Sequence, residues 1–239
     1  MKIIISWILL FLLCLTSFAQ NTIPAFTFEA DSFLKKYVAN GKVAYAVIKK
    51  EEKSIQSLTN KISAINLQGL PDNSKKAFYI NAYNLLVIQA VANAYPLKSV
   101  MDKPGFFDKT LHTVAGEKLT LNDLEKKKLL QPYQDARLHF ALACAAVSCP
   151  PLASYAYTLN GLNAQLDSRT KQAINNPTFI KVNSKNQQVL ISKIFDWYKT
   201  DFTKDNQTVL SFLNTYRTDK IPGNYQLGYY EYDWRLNNQ

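Results

Sequence analysis

From Ser74 to Tyr95 the sequence keeps an unbroken helical pattern, and Pro96 ends it. Phe78, Ala82, Leu85, Leu86 and Val91 form a core stripe, with Ser74 placed to cap the first turn. Asn81 and Asn84 intrude beside that stripe. Glycine is scarce as well. Seven glycines in 239 residues are under half the usual ~7%, which argues against an all-β sandwich or barrel built on many tight turns.

The same scarcity removes functional classes. No two glycines stand two residues apart, so a dinucleotide-binding fingerprint is excluded. Gly223 and Gly228 have phosphate-loop spacing, but Tyr229 and Tyr230 stand where Lys and Ser/Thr are needed. His112 and His139 are too far apart for a helical zinc-protease motif.

The remaining periodicities predict a helix-dominant α+β chain. Phe28 to Ala39 and Glu51 to Ile65 read as helices, the second with Ile55, Leu58, Ile62 and Ile65 at helical spacing. Alternation from Leu111 to Leu121 around Ala115-Gly116 predicts a hairpin, in which His112 reads as a surface residue. Asn122 is placed to cap a helix holding Leu124, Glu125 and Leu129, and Thr158 one holding Leu162, Leu166 and Ala173. A second hairpin pairs Phe179 to Val182 with Val189 to Ile191. Helices over Lys193 to Tyr198 and Gln207 to Tyr216 and an aromatic-rich strand from Tyr225 to Trp234 follow. The expected fold class is α+β, a helix-rich single domain over 20–239 with two β-hairpins and a C-terminal strand; a cysteine-hydrolase-like arrangement is one form it can take.

Lys2, the apolar run Ile3 to Leu15 and the small-x-small site Ser17-Phe18-Ala19 read as a signal peptide over residues 1–19. Its core falls short of the ~20 apolar residues that a spanning helix needs. Cys14 suggests lipidation less well, because Leu13 occupies a position that wants a small residue. The expectation is a periplasmic or secreted protein of the cell envelope with no transmembrane segment after cleavage. The net charge of +10 is spread over short lysine clusters that read as solvated helix faces. No nucleic-acid partner is expected, and the candidate substrate is an envelope peptide or glycan.

Cleavage leaves two cysteines, Cys144 and Cys149, too few for a disulfide scaffold. Both lie in Asp135-Ala-Arg-Leu-His-Phe-Ala-Leu-Ala-Cys-Ala-Ala-Val-Ser-Cys-Pro-Pro-Leu152, together with His139. Arg137 to Val147 is nearly all apolar, and its period does not separate helix from strand. Cys149 as nucleophile with His139 as base, and Asn or Glu as orienter, is one reading; a buried thiol or a Cys144–Cys149 disulfide is another. On one continuous helix residues 139 and 149 would stand ~15 Å apart. Contact between them, or between the thiols, requires the chain to turn back around Ala145 to Ser148. A zinc site from His139, Cys144 and Cys149 is disfavoured, since five-residue steps turn the ligands apart. No metal or cofactor is expected.

The segments KKAFYINAYNLLVIQAV (75–91), DARLHFALACAAVSCPPL (135–152), AYTLNGLNAQLD (156–167), ISKIFDWYKTDF (191–202) and YDWRLN (232–237) resemble, in order, the domain of unknown function 547. Asn81, Asn84, Glu125, His139, Cys149, Pro150, Asp196, Trp197 and Asp201 fall on that family's recurring positions. Lys126 and Leu130 stand where the pattern has His and Arg, and plant relatives carry Ser in the place of Cys149. The family name states no activity. Residues and resemblance together point to Cys149, His139, Glu125 and Asn84 as catalytic candidates and to Asn81, Trp197 and Asp201 as binding candidates. The expected function is a thiol-dependent hydrolase or acyltransferase on amide or ester bonds. The alternative is a non-catalytic ligand- or protein-binding module whose polar cluster is structural.

Overall fold

The computed structural model describes residues 22–239; the predicted signal peptide and Cys14 lie outside them. Helix α1 (Ile23–Tyr37) starts behind Thr22, whose hydroxyl accepts from the Ala25 N–H, with Pro24 in its first turn. A two-residue ribbon, β1 (Val38–Ala39) and β2 (Lys42–Val43), leads to α2 (Tyr45–Lys50) and α3 (Glu52–Ala64). All three helices pack on α4 (Asp72–Ala94). This helix is buried on nearly every side, with Phe78, Ile80, Leu85, Ile88 and Val91 all at 1% exposure or less. The sequence stripe marked only part of that burial.

The start of α4 differs from expectation. Pro71 takes the cap position and its carbonyl accepts from Ser74 and Lys75, which leaves Ser74 buried inside the helix. Asp72 in the first turn suits the positive end of the helix dipole. The helix ends as Pro96 predicts, with Tyr95 in extended backbone.

The hairpin β3 (His112–Val114) and β4 (Glu117–Leu119) follows, with His112 half-buried and its Nε2 without a partner among the described residues. Helix α5 (Leu121–Glu125) is capped by Thr120 and not by Asn122. The Thr120 hydroxyl accepts from the Asp123 N–H at 3.0 Å while the Asp123 carboxylate accepts from the Thr120 N–H, a reciprocal box. A π-helical turn (Lys126–Leu130) and α6 (Gln131–Tyr133) continue it.

The apolar run after Arg137 is neither helix nor strand. A 3-10 turn (Ala136–Phe140) gives way to irregular backbone. Two hydrophobic cores explain the composition of this stretch. Ala141, Leu142, Ala143 and Ala145 pack into the core around α4, whereas Phe140, Ala146 and Cys149 pack into a second core beyond it. A segment threaded between two cores is apolar on all sides and carries no period.

Helix α7 (Leu162–Ile174) begins after Gly161, and Thr158 holds the turn before it by accepting from the Gly161 N–H. The hairpin β5 (Ile180–Asn183) and β6 (Gln188–Ile191) forms as predicted. Short helices α8 (Ile194–Trp197) and α9 (Lys199–Phe202) and then α10 (Val209–Tyr216) lead to β7 (Gln226–Tyr229). Strand β7 pairs in parallel with β6, a non-local pairing that the hairpin pattern did not predict. The fold is a helix-rich α+β single domain, as expected. Among the described residues no helix is long and apolar enough to cross a membrane.

Asp135, at the mouth of the 3-10 turn, accepts a two-pronged hydrogen bond from Arg137 and an ion pair from Lys76 on α4. Burial alone would raise its pKa, but the two cations outweigh it and hold the carboxyl at about 2. The stability it contributes is therefore present above the unfolded carboxyl value of ~4 and is lost as pH falls towards the folded value. Asp135→Asn, leaving Lys76 buried without its partner, should cost about 3–5 kcal/mol. Thermal melts across an acid series should show that loss at neutral pH and a flatter decline below pH ~4 than in the parent.

Candidate active site

The irregular segment Ala141–Cys149 is buried apart from an exposed Val147 and half-buried Cys144 and Ser148, so most of its peptide groups need partners. Asn84 on α4 supplies two: its Nδ2 donates to the Ala141 carbonyl and its Oδ1 accepts from the Ala143 N–H, both at 2.9 Å. Asn81, one turn earlier, does the same for Tyr157, donating to its carbonyl and accepting from its N–H at 2.8 Å. A side-chain amide is a peptide in miniature, and here it pairs like a strand neighbour. Both asparagines are positioning residues, and neither faces the cleft described below.

The C-terminal tail straps the other side of the segment. Val147 N–H donates to the Arg235 carbonyl (2.8 Å), Ser148 N–H to that of Asp233 (3.1 Å), and Asn237 N–H to that of Ala145 (3.0 Å). Ala145 takes a left-handed backbone (φ 61°), and Cys149 N–H bonds back to the Ala146 carbonyl. The chain therefore makes the turn that contact between the thiols requires. Cys149 Sγ accepts the Cys144 N–H at 2.8 Å and itself donates to the Leu142 carbonyl at 4.0 Å.

The thiols differ in setting. Cys149 is 7% exposed, and burial, aided by the neighbouring sulfur, pushes it well above the ordinary thiol value. Cys144 is half-buried. Hydrogen bonds from Cys149 and from the Tyr232 hydroxyl (3.1 Å) outweigh burial and hold it below the ordinary value. Cys144 is the sulfur better placed to ionise.

His139 stands on the 3-10 turn, 5% exposed, between the rings of Tyr198 and Phe202. Its Nε2 meets Asp201 Oδ2 at 2.8 Å, and the His139 ring in turn holds the Asp201 carboxyl below the usual range. With Nε2 donating to Asp201, Nδ1 is the basic nitrogen. Asp201, read as a binding residue, is thus the orienter that the sequence assigned to Asn or Glu. Glu125, at the end of α5, accepts from the hydroxyls of Tyr198 (2.8 Å) and Tyr83 (3.2 Å). Burial, with the Glu125 charge beside them, pushes both phenols up, so they remain donors.

His139, Glu125, Cys144 and Cys149 are among the residues that line one cleft of about 240 Å³, while Asp201 reaches it only through the His139 ring. Tyr83, Tyr198 and Tyr232 supply hydroxyls to its wall, and Trp197 and Trp234, stacked with ring centroids 5.9 Å apart, form its rim. Trp197 is 48% exposed. No Lys or Arg lines the cleft, and among the described residues no cluster of His, Cys, Asp and Glu could hold a metal ion.

The model of a family described as "Protein of unknown function, DUF547" matches residues 67–174. Over those residues the chain is similar to the DUF547 family. No curated protein and no solved structure matches it. The DUF547 segment supplies Tyr83, Glu125, His139 and both thiols, while Trp197, Tyr198, Asp201 and Tyr232 come from beyond its end. Sequence reasoning assigned no site role to Tyr83, Tyr198 or Tyr232. Tyr83 lies between the two flagged asparagines, a polar group on the same buried turn and a signal that was available.

Two outcomes follow from this geometry. Iodoacetamide should label Cys144 before Cys149 in the native protein, with a rate that rises through a midpoint below the ordinary thiol value of ~8.5; peptide mapping reads both. Asn84→Leu strands the Ala141 carbonyl and the Ala143 N–H, each costing about 1–3 kcal/mol. Its thermal midpoint should drop and Cys149 should become alkylatable under native conditions.

Proposed function

We propose that this protein acts as a thiol-dependent hydrolase or acyltransferase on amide or ester bonds, exported to the cell envelope. What carries the reading is the meeting, in one cleft, of a thiol pair with an imidazole already oriented by a carboxylate, the working parts of nucleophilic acyl transfer. Cys144 is the attacking sulfur. It was flagged in the sequence only as a partner for Cys149, and its exposure and its hydrogen bonds from Cys149 and Tyr232 favour it over the buried thiol. The Cys144 thiolate adds to the carbonyl carbon, forming the S–C bond. His139, protonated at Nδ1, delivers that proton to the departing amine or alcohol as its bond to the carbonyl breaks. The unprotonated imidazole then takes a proton from water, or from an amine or hydroxyl acceptor, as that group attacks the thioester and releases Cys144. Asp201 keeps the ring in the tautomer that leaves Nδ1 free. The lack of a cationic side chain in the lining and the tryptophan rim suit an uncharged peptide or glycan segment beside the scissile bond.

A second reading, a non-catalytic binding module, is favoured by the burial of Cys149 and by the commitment of Asn81 and Asn84 to backbone. An activated ester separates the two. With p-nitrophenyl acetate the acyl-transfer reading expects an acetyl group on Cys144, detected by mass spectrometry of quenched protein, and turnover lost in Cys144→Ala. Asp201→Asn should lower turnover by about 10²–10⁴-fold through loss of the oriented base. Undiminished turnover in Cys144→Ala and His139→Ala would overturn these residue roles, and wild-type protein with no acetyl group on Cys144 and no turnover above buffer would overturn the reading in favour of the binding module.

A further inference from the structure

We propose that Cys144 and Cys149 are a redox-active pair, closed to an internal disulfide by a small-molecule disulfide and reopened by a small-molecule thiol. The inference goes beyond acyl transfer and does not depend on it. Five residues apart on a helix, two cysteines cannot bond; this chain brings them together by leaving the helix. The left-handed Ala145, the Cys149 N–H to Ala146 carbonyl bond and the strap from Asp233 to Asn237 hold residues 144–149 in a closed loop. Cys149 Sγ already rests on the backbone nitrogen of Cys144 at 2.8 Å. With Cys149 Sγ held against the Cys144 backbone, little further ordering is needed to join the sulfurs, which gives each a high effective concentration toward the other.

The pair is also asymmetric in access. Both cysteines line the cleft, but Cys144 is half-buried there while Cys149 is only 7% exposed. An external disulfide entering the cleft meets Cys144 first. The Cys144 thiolate attacks one sulfur, the external S–S bond breaks, and one thiolate leaves and takes a proton. Cys149 then loses its proton and attacks the Cys144 sulfur of the mixed disulfide, expelling the second thiol. The protein gives up two electrons and two protons in all, and one external disulfide becomes two thiols. If the cleft transfers acyl groups as proposed above, its closed form has no free nucleophile, and the local redox poise sets the active fraction.

The test needs no substrate, so it stands apart from the acyl-transfer reading. The full chain is equilibrated with mixtures of glutathione and glutathione disulfide, quenched in acid, and alkylated with N-ethylmaleimide; peptide mapping separates the pair from Cys14. The expected result is a single Cys144–Cys149 disulfide, seen as the loss of two hydrogen atoms and of both alkylation sites, reversed by excess glutathione. Cys149→Ser should instead accumulate glutathione on Cys144, since nothing resolves the mixed disulfide, while Cys144→Ser should leave Cys149 unmodified. Wild-type protein that keeps both thiols alkylatable at every ratio, or that accumulates glutathionylated Cys144 without resolution, would overturn the proposal.

Discussion

A buried stretch of irregular backbone must find hydrogen-bond partners outside itself, and residues 141–149 meet that demand from two sides. Asn84 serves the first half from α4 and the C-terminal tail serves the second. The tail also binds the N-terminal half of the molecule. Asn237 accepts the buried Tyr45 hydroxyl and its Nδ2 donates to the Gly41 carbonyl, while its own carbonyl accepts from Val43. One short segment thus stitches the β1–β2 ribbon, the start of α2 and the thiol loop together. The sharp turn at Ala145, the approach of the two sulfurs and the floor of the cleft all depend on this arrangement.

Around that loop the charged groups divide into two kinds. Lys76, Asp135, Arg137 and Asp167 form a connected ion network at the base of the 3-10 turn, and their role is to fix where His139 begins. His139, backed by Asp201, and the Glu125–tyrosine cluster border the cleft instead, where their hydrogen bonds set proton positions. Tyr198 joins the two, its ring against His139 at a centroid distance of 4.3 Å and its hydroxyl on Glu125. A substrate that displaced Tyr198 would disturb the imidazole and the carboxylate together.

Much of the fold was legible from local chemistry. Helix α4, both hairpins and α10 fall within a few residues of where periodicity and Pro96 put them, because short-range sterics and side-chain alternation decide such elements. Caps were less legible. Ser74, Asn122 and Thr158 are all competent caps, but the chain uses Pro71, Thr120 and Gly161, since burial and neighbouring contacts choose among nearby polar residues. The apolar run from Arg137 was unreadable by period because two cores claim alternate parts of it. In the site, His139, Glu125 and Cys149 were visible as reactive groups in a suggestive order, while Asp201 and Asn84 were visible without their roles. A carboxylate that orients a ring sixty-two positions away leaves no local trace.

The sequence by itself determined the reactive inventory: three cysteines, two histidines, few glycines, and no nucleotide loop or helical zinc motif, all of which are properties of composition and spacing. It also determined the long helix and the clustering of one histidine with two of the cysteines. Only the tertiary structure decided that Cys144 is the more exposed of the two thiols in the cleft, that Asp201 holds His139, and that Asn84 serves the backbone. Those assignments depend on how α4, the 3-10 turn, α9 and the tail pack against one another, and such non-local contacts are set by the burial of two cores and not by any neighbouring residue.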